Sequence, residues 1–163
     1  MALHSSLNLA VCNLLKITEL KEFQQACLQS LLRGENVFVS YKTGSGKSLC
    51  YEAYPVAKYL HPLTTQVIVI IIEPLVAIMA QQVRRLRELG FSATYIGLDS
   101  AENSAICAGE YTYVYSTDES LVGVEHWRNM LRDSNVYQAA SLLLVIDEAH
   151  TTTEWLANTL LPY

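Results

Sequence analysis

Tyr41-Lys42-Thr43-Gly44-Ser45-Gly46-Lys47-Ser48 is the most informative stretch of this chain. It follows a short apolar run at residues 36–40, which predicts a strand, and it leads into a helical pattern at residues 47–60. A strand that turns through glycines into a helix directs backbone N–H groups and the positive end of a helix dipole at one point. Lys47 adds a full positive charge there, and the Ser48 hydroxyl suits the Mg²⁺ that accompanies a nucleotide. The pattern predicts a P-loop whose nucleotide-binding residues are Thr43, Gly44, Ser45, Gly46, Lys47 and Ser48.

The composition narrows the class of protein. The chain has 163 residues, of which 51% are hydrophobic, enough for the core of one soluble domain. Its net charge of -5 repels DNA in bulk, so any contact with nucleic acid must be local. The longest apolar run, residues 67–72, is too short to cross a bilayer, and the N-terminus lacks the basic lead-in of a signal peptide. The 4 cysteines are widely spaced without a CxxC pair, which favours reduced intracellular thiols over disulfides or a zinc site.

Strand and helix patterns alternate along the chain. Strands are predicted at residues 36–40, 66–72, 93–96, 111–115 and 142–146. Helices are predicted at residues 7–15, 19–33, 47–60, 75–89, 101–108 and 120–132. Alternation with short connections predicts one α/β domain: a mostly parallel sheet, helices on both faces, and a ligand at the carboxyl ends of the strands.

A second polar group follows the last predicted strand. The apolar run at residues 142–146 leads directly into Asp147-Glu148-Ala149-His150. We expect the strand to deliver both carboxylates to the sheet edge where the P-loop opens. There Asp147 is suited to hold Mg²⁺ and Glu148 to polarise an attacking water. Acids after a strand also begin ordinary solvated turns, but the P-loop upstream favours a site for nucleotide hydrolysis.

The two motifs together resemble those of superfamily 2 helicases, and Gly46-Lys47-Ser48-Leu49-Cys50-Tyr51 resembles the RecQ branch of that group. Leu20-Lys21-Glu22-Phe23-Gln24 is similar to the RecQ segment upstream of the P-loop. In that segment a glutamine reads the adenine edge and a basic residue packs nearby, roles that the resemblance gives to Gln24 and Lys21. The resemblance also agrees with Ser48 and Asp147 as the Mg²⁺ ligands. The catalytic residues that it implies are Lys47, Asp147, Glu148 and His150.

The resemblance covers about residues 17–155 and implies the first RecA-like domain of a P-loop NTPase. Segments that begin at Pro74 and Tyr115 resemble DNA-contacting motifs, and Trp155 resembles the start of a loop that couples DNA to ATP turnover. His150 would link the nucleotide to the neighbouring domain. The resemblance further implies ATP and Mg²⁺ as ligands, DNA and a second RecA-like domain as partners, 3′ to 5′ unwinding by the parent protein, and a location in the nucleus or another DNA compartment.

The sequence departs from the RecQ pattern at several positions. Tyr41-Lys42 replaces an expected Met-Pro, and Glu73 stands where relatives usually carry a small polar residue. Residues 156–161 lack the side chains expected of the coupling loop. Because the chain stops at Tyr163, we expect residues 1–163 to form a domain truncated after the Asp-Glu-Ala-His motif, which binds nucleotide with little or no unwinding.

Two interpretations of the function stay open. One is an ATP-hydrolysing DNA helicase of RecQ type, represented by its first motor domain. The other is a non-enzymatic nucleotide-binding or interaction module that descends from such a helicase. A nucleotide kinase is disfavoured, because nothing in the sequence resembles a lid or a site for a second phosphate-bearing substrate.

Overall fold

The computed structural model describes residues 5–60 and 66–148. The chain divides into two compact units, of which the first ends at Val67 and the second begins at Ile68. The described part of the first unit contains α1 (Ser5–Leu15), α2 (Glu22–Leu32) and α3 (Ser48–Tyr59). Both α1 and α2 pack against α3, whose residues 50–57 are all buried. The three helices predicted for this part of the sequence are therefore confirmed, with α2 starting three residues later than predicted.

Residues 36–40, predicted as the first strand, form no strand in the structure. The side chain of Phe38 is 86% exposed, and Val37 is also exposed. A strand needs a neighbouring strand for its backbone N–H and C=O groups, and the described sheet contains no ladder that involves these residues. The strand prediction was wrong because an apolar run indicates an extended backbone without indicating a pairing partner.

The second unit is built on a four-stranded sheet in the order β2-β3-β1-β4. The strands are β1 (Val67–Ile72), β2 (Ala93–Tyr95), β3 (Tyr113–Ser116) and β4 (Ser141–Ile146). β3 pairs in parallel with both β1 and β2, with Val69 opposite Tyr113 and Ala93 opposite the same tyrosine on the other side. The predicted parallel α/β architecture is confirmed.

The helices of the second unit are α4 (Val76–Glu88), α5 (Asn103–Cys107), α6 (Asp118–Gly123), α7 (Glu125–Asp133) and α8 (Asn135–Ala139), with a 3-10 turn at Ser100–Glu102. The single helix predicted at residues 120–132 is two helices, because Gly123 weakens the helical pattern and Val124 takes an extended backbone (φ -95°, ψ 117°). The five-residue α8 was not predicted, since so short an element carries little periodicity. No described helix is long and apolar enough to cross a membrane.

The core of this unit lies on the sheet. All six residues of β1 are buried, as expected for a central parallel strand. Ile68, Ile70 and Ile72 pack on one face with side chains from α5 to α8, among them Trp127 and Met130. The intervening residues of β1 point to the opposite face, and α4 packs against β2 and β3. β4 is an edge strand of the described sheet, so its Leu142 and Leu144 remain exposed.

Candidate functional site

The predicted phosphate-binding loop takes the backbone conformation that its glycines allow. Gly44 has φ +76° and Gly46 has φ +89°, both in the left-handed region that side chains other than glycine rarely adopt. A Cβ added at Gly46 would lie 2.9 Å from Nε2 of Gln24, so a side chain at this position would have to displace that amide. α3 begins at Ser48, directly after the loop. The first amide groups of a helix have no intrahelical acceptor, so the loop meets free N–H donors and the positive end of the α3 dipole.

The first turn of α2 is hydrogen-bonded to this loop. Nζ of Lys21 donates to the Ser45 carbonyl (2.8 Å), and Nε2 of Gln24 donates to the Gly46 carbonyl (2.8 Å). Oε1 of Gln24 accepts from the Lys21 backbone N–H (2.8 Å), which is the half of a capping box that reaches back to the N-cap residue. Gln24 is only 1% exposed. The structure thus brings the two upstream residues and the P-loop together, and it gives both ends of the Gln24 amide a partner.

Two further groups of the loop bear on anion binding. Nζ of Lys47 donates to the Tyr41 carbonyl (3.1 Å), so the ammonium group lies over the start of the loop. The Ser45 hydroxyl is buried and has no hydrogen-bond partner among residues 5–60 and 66–148. A buried polar atom without a partner is uncommon and suits an incoming ligand oxygen. The donors and the backbone shape of the loop therefore fit a polyphosphate.

Asp147 and Glu148 lie in the second unit, immediately after β4. The Asp147 N–H donates to the Ile72 carbonyl at the end of β1 (2.9 Å), which fixes the carboxylate at the carboxyl edge of the sheet. Glu148 has φ +47°, a conformation that is rare for a glutamate. Its N–H donates to Oδ1 of Asp147 (2.9 Å). A non-glycine residue in the left-handed region is strained, and such strain is concentrated at functional sites.

Glu73, noted in the sequence only as a departure from the RecQ pattern, lies beside these two acids. It follows β1 at the same edge of the sheet, is 3% exposed, and its Oε1 accepts from the Leu75 N–H (3.0 Å). Burial raises the pKa of Glu73 above its ordinary value, the Leu75 N–H opposes that rise, and the charges of Asp147 and Glu148 add to it. The sequence feature that could have identified Glu73 as a site residue is its position directly after a buried parallel strand.

The other predicted site residues are only partly within the described structure. Thr43 is exposed within the loop, and Ser48 opens α3. His150 and Trp155 lie outside the described residues. Among residues 5–60 and 66–148, no three His, Cys, Asp or Glu side chains are grouped so that they could hold a metal ion. The predicted roles of the individual residues in catalysis stay predictions.

Comparison with known proteins agrees with these features. The ATP-dependent DNA helicase RecQ of Bacillus subtilis (strain 168) is 30% identical over 128 residues, which are 74% of this chain and 19% of the relative. ATP-dependent DNA helicase Q1 of Rattus norvegicus is 26% identical over 149 residues, covering 86% of this chain and 22% of the relative. This chain therefore spans about a fifth of the length of these two relatives.

A solved structure shares the fold. The crystal structure of the DUF1998 helicase MrfA bound to DNA and AMPPNP superposes with a TM-score of 0.69 at 20% identity, covering 93% of this chain and 22% of MrfA. In addition, residues 21–160 match the DEAD/DEAH box helicase family, a range that includes the upstream glutamine, the P-loop and the Asp-Glu-Ala-His motif. The chain belongs to the DEAD/DEAH box helicase family.

Proposed function

We propose that this chain is the ATP-binding motor domain of a RecQ-type, ATP-dependent DNA helicase. The observation that carries the proposal is the loop at residues 41–47. It has two glycines with positive φ, α3 directly behind it, and carbonyl groups that accept hydrogen bonds from Lys21 and Gln24. Backbone N–H groups at a helix start, together with a lysine, are the usual means by which proteins bind nucleotide phosphates.

Each side chain of this region then has a proposed role. The loop amides and Lys47 bind the β- and γ-phosphates and offset their charge. Gln24 pairs with the adenine edge, because a carboxamide offers both a donor and an acceptor. Nε2 of Gln24 donates to the Gly46 carbonyl and its Oε1 accepts from the Lys21 N–H, so adenine would use the second N–H and the second lone pair of the same amide. Lys21 supports Gln24 from the N-cap of α2.

Mg²⁺ and the acids of the second unit complete the proposal. Mg²⁺ neutralises phosphate charge when it is bound, and Ser48 and Asp147 are its proposed ligands. Mg²⁺ prefers oxygen ligands, and both a hydroxyl and a carboxylate supply them. Glu148 is proposed to orient the attacking water, and His150 to couple the nucleotide to a neighbouring domain.

The activity of the whole protein is proposed from its relatives. The relatives are named ATP-dependent DNA helicases, and MrfA, which shares the fold, was crystallised with DNA and AMPPNP bound. We therefore propose that the parent protein unwinds DNA in the 3′ to 5′ direction with a second RecA-like domain, in the nucleus or another DNA compartment, in DNA repair or recombination. For these 163 residues alone we propose nucleotide binding without unwinding, since translocation requires two domains that close and open around ATP.

Nucleotide binding is tested by calorimetric titration of ATP and ADP, each with Mg²⁺. We expect Lys47→Ala to abolish binding, because the phosphates lose their cation. Lys42→Ala is the matched control, since it removes a second lysine, which is exposed, from the same loop. We expect this control to bind as the wild type does. Equal affinities of the wild type and Lys47→Ala would contradict the P-loop assignment.

A further inference from the structure

Two aromatic rings connect α2 to the start of the loop. Phe23 lies in the first turn of α2, and Tyr41 opens the loop. Their ring centroids are 3.9 Å apart and their planes meet at 19°, so the rings are stacked. Tyr41 remains 53% exposed, which means that burial in a core does not account for its position. The residue that departs from the RecQ pattern thus has a specific partner on the helix that carries Gln24.

Two hydrogen bonds join the same two segments beside the stack. Lys21 and Gln24, which flank Phe23 at the start of α2, donate hydrogen bonds to the carbonyl groups of Ser45 and Gly46. The start of α2 therefore contacts the loop at two places. The ring of Phe23 lies on Tyr41 at the first residue of the loop, and two hydrogen bonds reach the carbonyl groups of Ser45 and Gly46 near its end. Removal of the ring leaves the two hydrogen bonds and the packing of α2 on α3 to fix the distance and angle between Gln24 and the loop.

The nearby Phe38 shows that the stack is not a general property of aromatic residues in this segment. Phe38 lies three residues before Tyr41 and is 86% exposed. Both residues belong to the same approach to the loop, yet it is the ring of Tyr41 that lies on Phe23. The comparison separates an aromatic side chain with a defined position from one that faces solvent.

We propose that Phe23 and Tyr41 are a positioning pair that sets base selectivity. Their stack holds the first turn of α2 at a fixed place relative to the loop, so that Gln24 meets the base of a nucleotide whose phosphates occupy the loop. This inference rests on the proposed function, because it assumes that the loop binds phosphate and that Gln24 reads adenine. Neither ring touches the reacting atoms; both act through Gln24.

The test compares the affinities of ATP and GTP, each with Mg²⁺, by calorimetric titration. Tyr41→Ala removes the ring, Tyr41→Phe keeps it, and Phe38→Ala removes the exposed neighbour as a matched control. We expect Tyr41→Ala to lower the affinity for ATP roughly three- to tenfold, on the scale of one aromatic pair, with a smaller change for GTP. The ratio of the ATP affinity to the GTP affinity therefore falls. Tyr41→Phe and Phe38→Ala should keep the wild-type ratio.

Several outcomes would overturn the inference. A merely structural role of the ring would lower both affinities in proportion and leave their ratio unchanged. A ratio that falls equally in Phe38→Ala, or that falls in Tyr41→Phe, would also refute it. If circular dichroism shows that Tyr41→Ala does not fold, Phe23→Leu takes its place, since it removes the other ring and keeps an apolar side chain.

The wild-type titration distinguishes failure of this inference from failure of the proposed function. A wild-type chain that binds no nucleotide refutes the P-loop assignment, and one that binds ATP and GTP alike refutes base reading by Gln24. Either result removes the basis of the positioning role as well. A wild-type preference for ATP that survives unchanged in Tyr41→Ala and in Phe23→Leu refutes the positioning role alone.

Discussion

Replacement of Gly46 by alanine tests the close approach between α2 and the loop. Gly44 and Gly46 have similar positive φ values, +76° and +89°, so a side chain at either position is strained. Their surroundings differ. A Cβ at Gly46 would lie 2.9 Å from Nε2 of Gln24, whereas a Cβ at Gly44 would meet nothing within 4 Å. Both alanine variants therefore lose stability through backbone strain. Gly46→Ala loses additional stability through the close contact with Gln24.

The sizes of the two costs follow from these contacts. An alanine in the left-handed region costs about 1 to 2 kcal/mol, which is the expected loss for Gly44→Ala. Gly46→Ala also displaces the buried amide of Gln24, which donates to the Gly46 carbonyl and accepts from the Lys21 N–H. At roughly 0.5 to 1.5 kcal/mol for each hydrogen bond, this displacement adds about 1 to 3 kcal/mol. Gly46→Ala should thus destabilise the fold by about 2 to 5 kcal/mol.

The assay is urea unfolding followed by circular dichroism, with the slope of the transition compared among variants. A double-mutant cycle isolates the added cost: in a Gln24→Ala background the amide is absent, so Gly46→Ala should lose only the strain that Gly44→Ala loses. The reasoning is refuted if Gly44→Ala and Gly46→Ala are equally destabilised, or if the cost of Gly46→Ala is the same with and without the Gln24 side chain.

Two further predictions concern the second unit. Glu73→Gln should be more stable than the wild type near neutral pH in metal-free buffer, because it removes a buried charge and keeps an acceptor for the Leu75 N–H. Because the pKa of Glu73 is raised in the folded state, wild-type stability falls as the pH rises from the ordinary pKa of 4.5 through the folded pKa. The stability advantage of Glu73→Gln over the wild type should therefore vanish below pH 4.5. Urea unfolding at several pH values measures this, and a stability difference that stays constant across pH would contradict the prediction. Tyr137→Phe should lower the free energy of unfolding by about 1 kcal/mol, because the buried Tyr137 hydroxyl donates to the Ile106 carbonyl (2.7 Å). The loss stays small because that carbonyl keeps a second hydrogen bond from the Gly109 N–H (2.9 Å). Thermal and urea unfolding that place Tyr137→Phe level with the wild type would argue against a net contribution from that hydrogen bond.

Much of the local structure could be predicted because its causes lie within a few residues. The β-branched run of β1 predicted a buried parallel strand, and all of its residues are buried. Gly34 predicted the end of α2, where it has φ +78°. The glycines before Lys47 predicted a phosphate-binding turn, and they take the backbone conformation that such a turn needs. In each case the steric and hydrogen-bonding limits of the local backbone allow few alternatives.

Interactions between distant segments could not be predicted in the same way. Residues 36–40 have the composition of a strand, but pairing depends on a neighbour that the run itself does not specify. In the sequence, Glu73 is only a glutamate where a small polar residue was expected. Its raised pKa comes from burial and from acids that are distant in sequence. Tyr41 was noted in the sequence only as a departure from the expected Met-Pro, and in the structure it stacks on Phe23. The sequence accounts for the glycine turn of the loop and the helix that follows it, since these depend on local sterics and residue type. Which side chains meet Gln24, Tyr41 and Glu73 depends on packing between segments, because burial and neighbouring charge are properties of the folded chain.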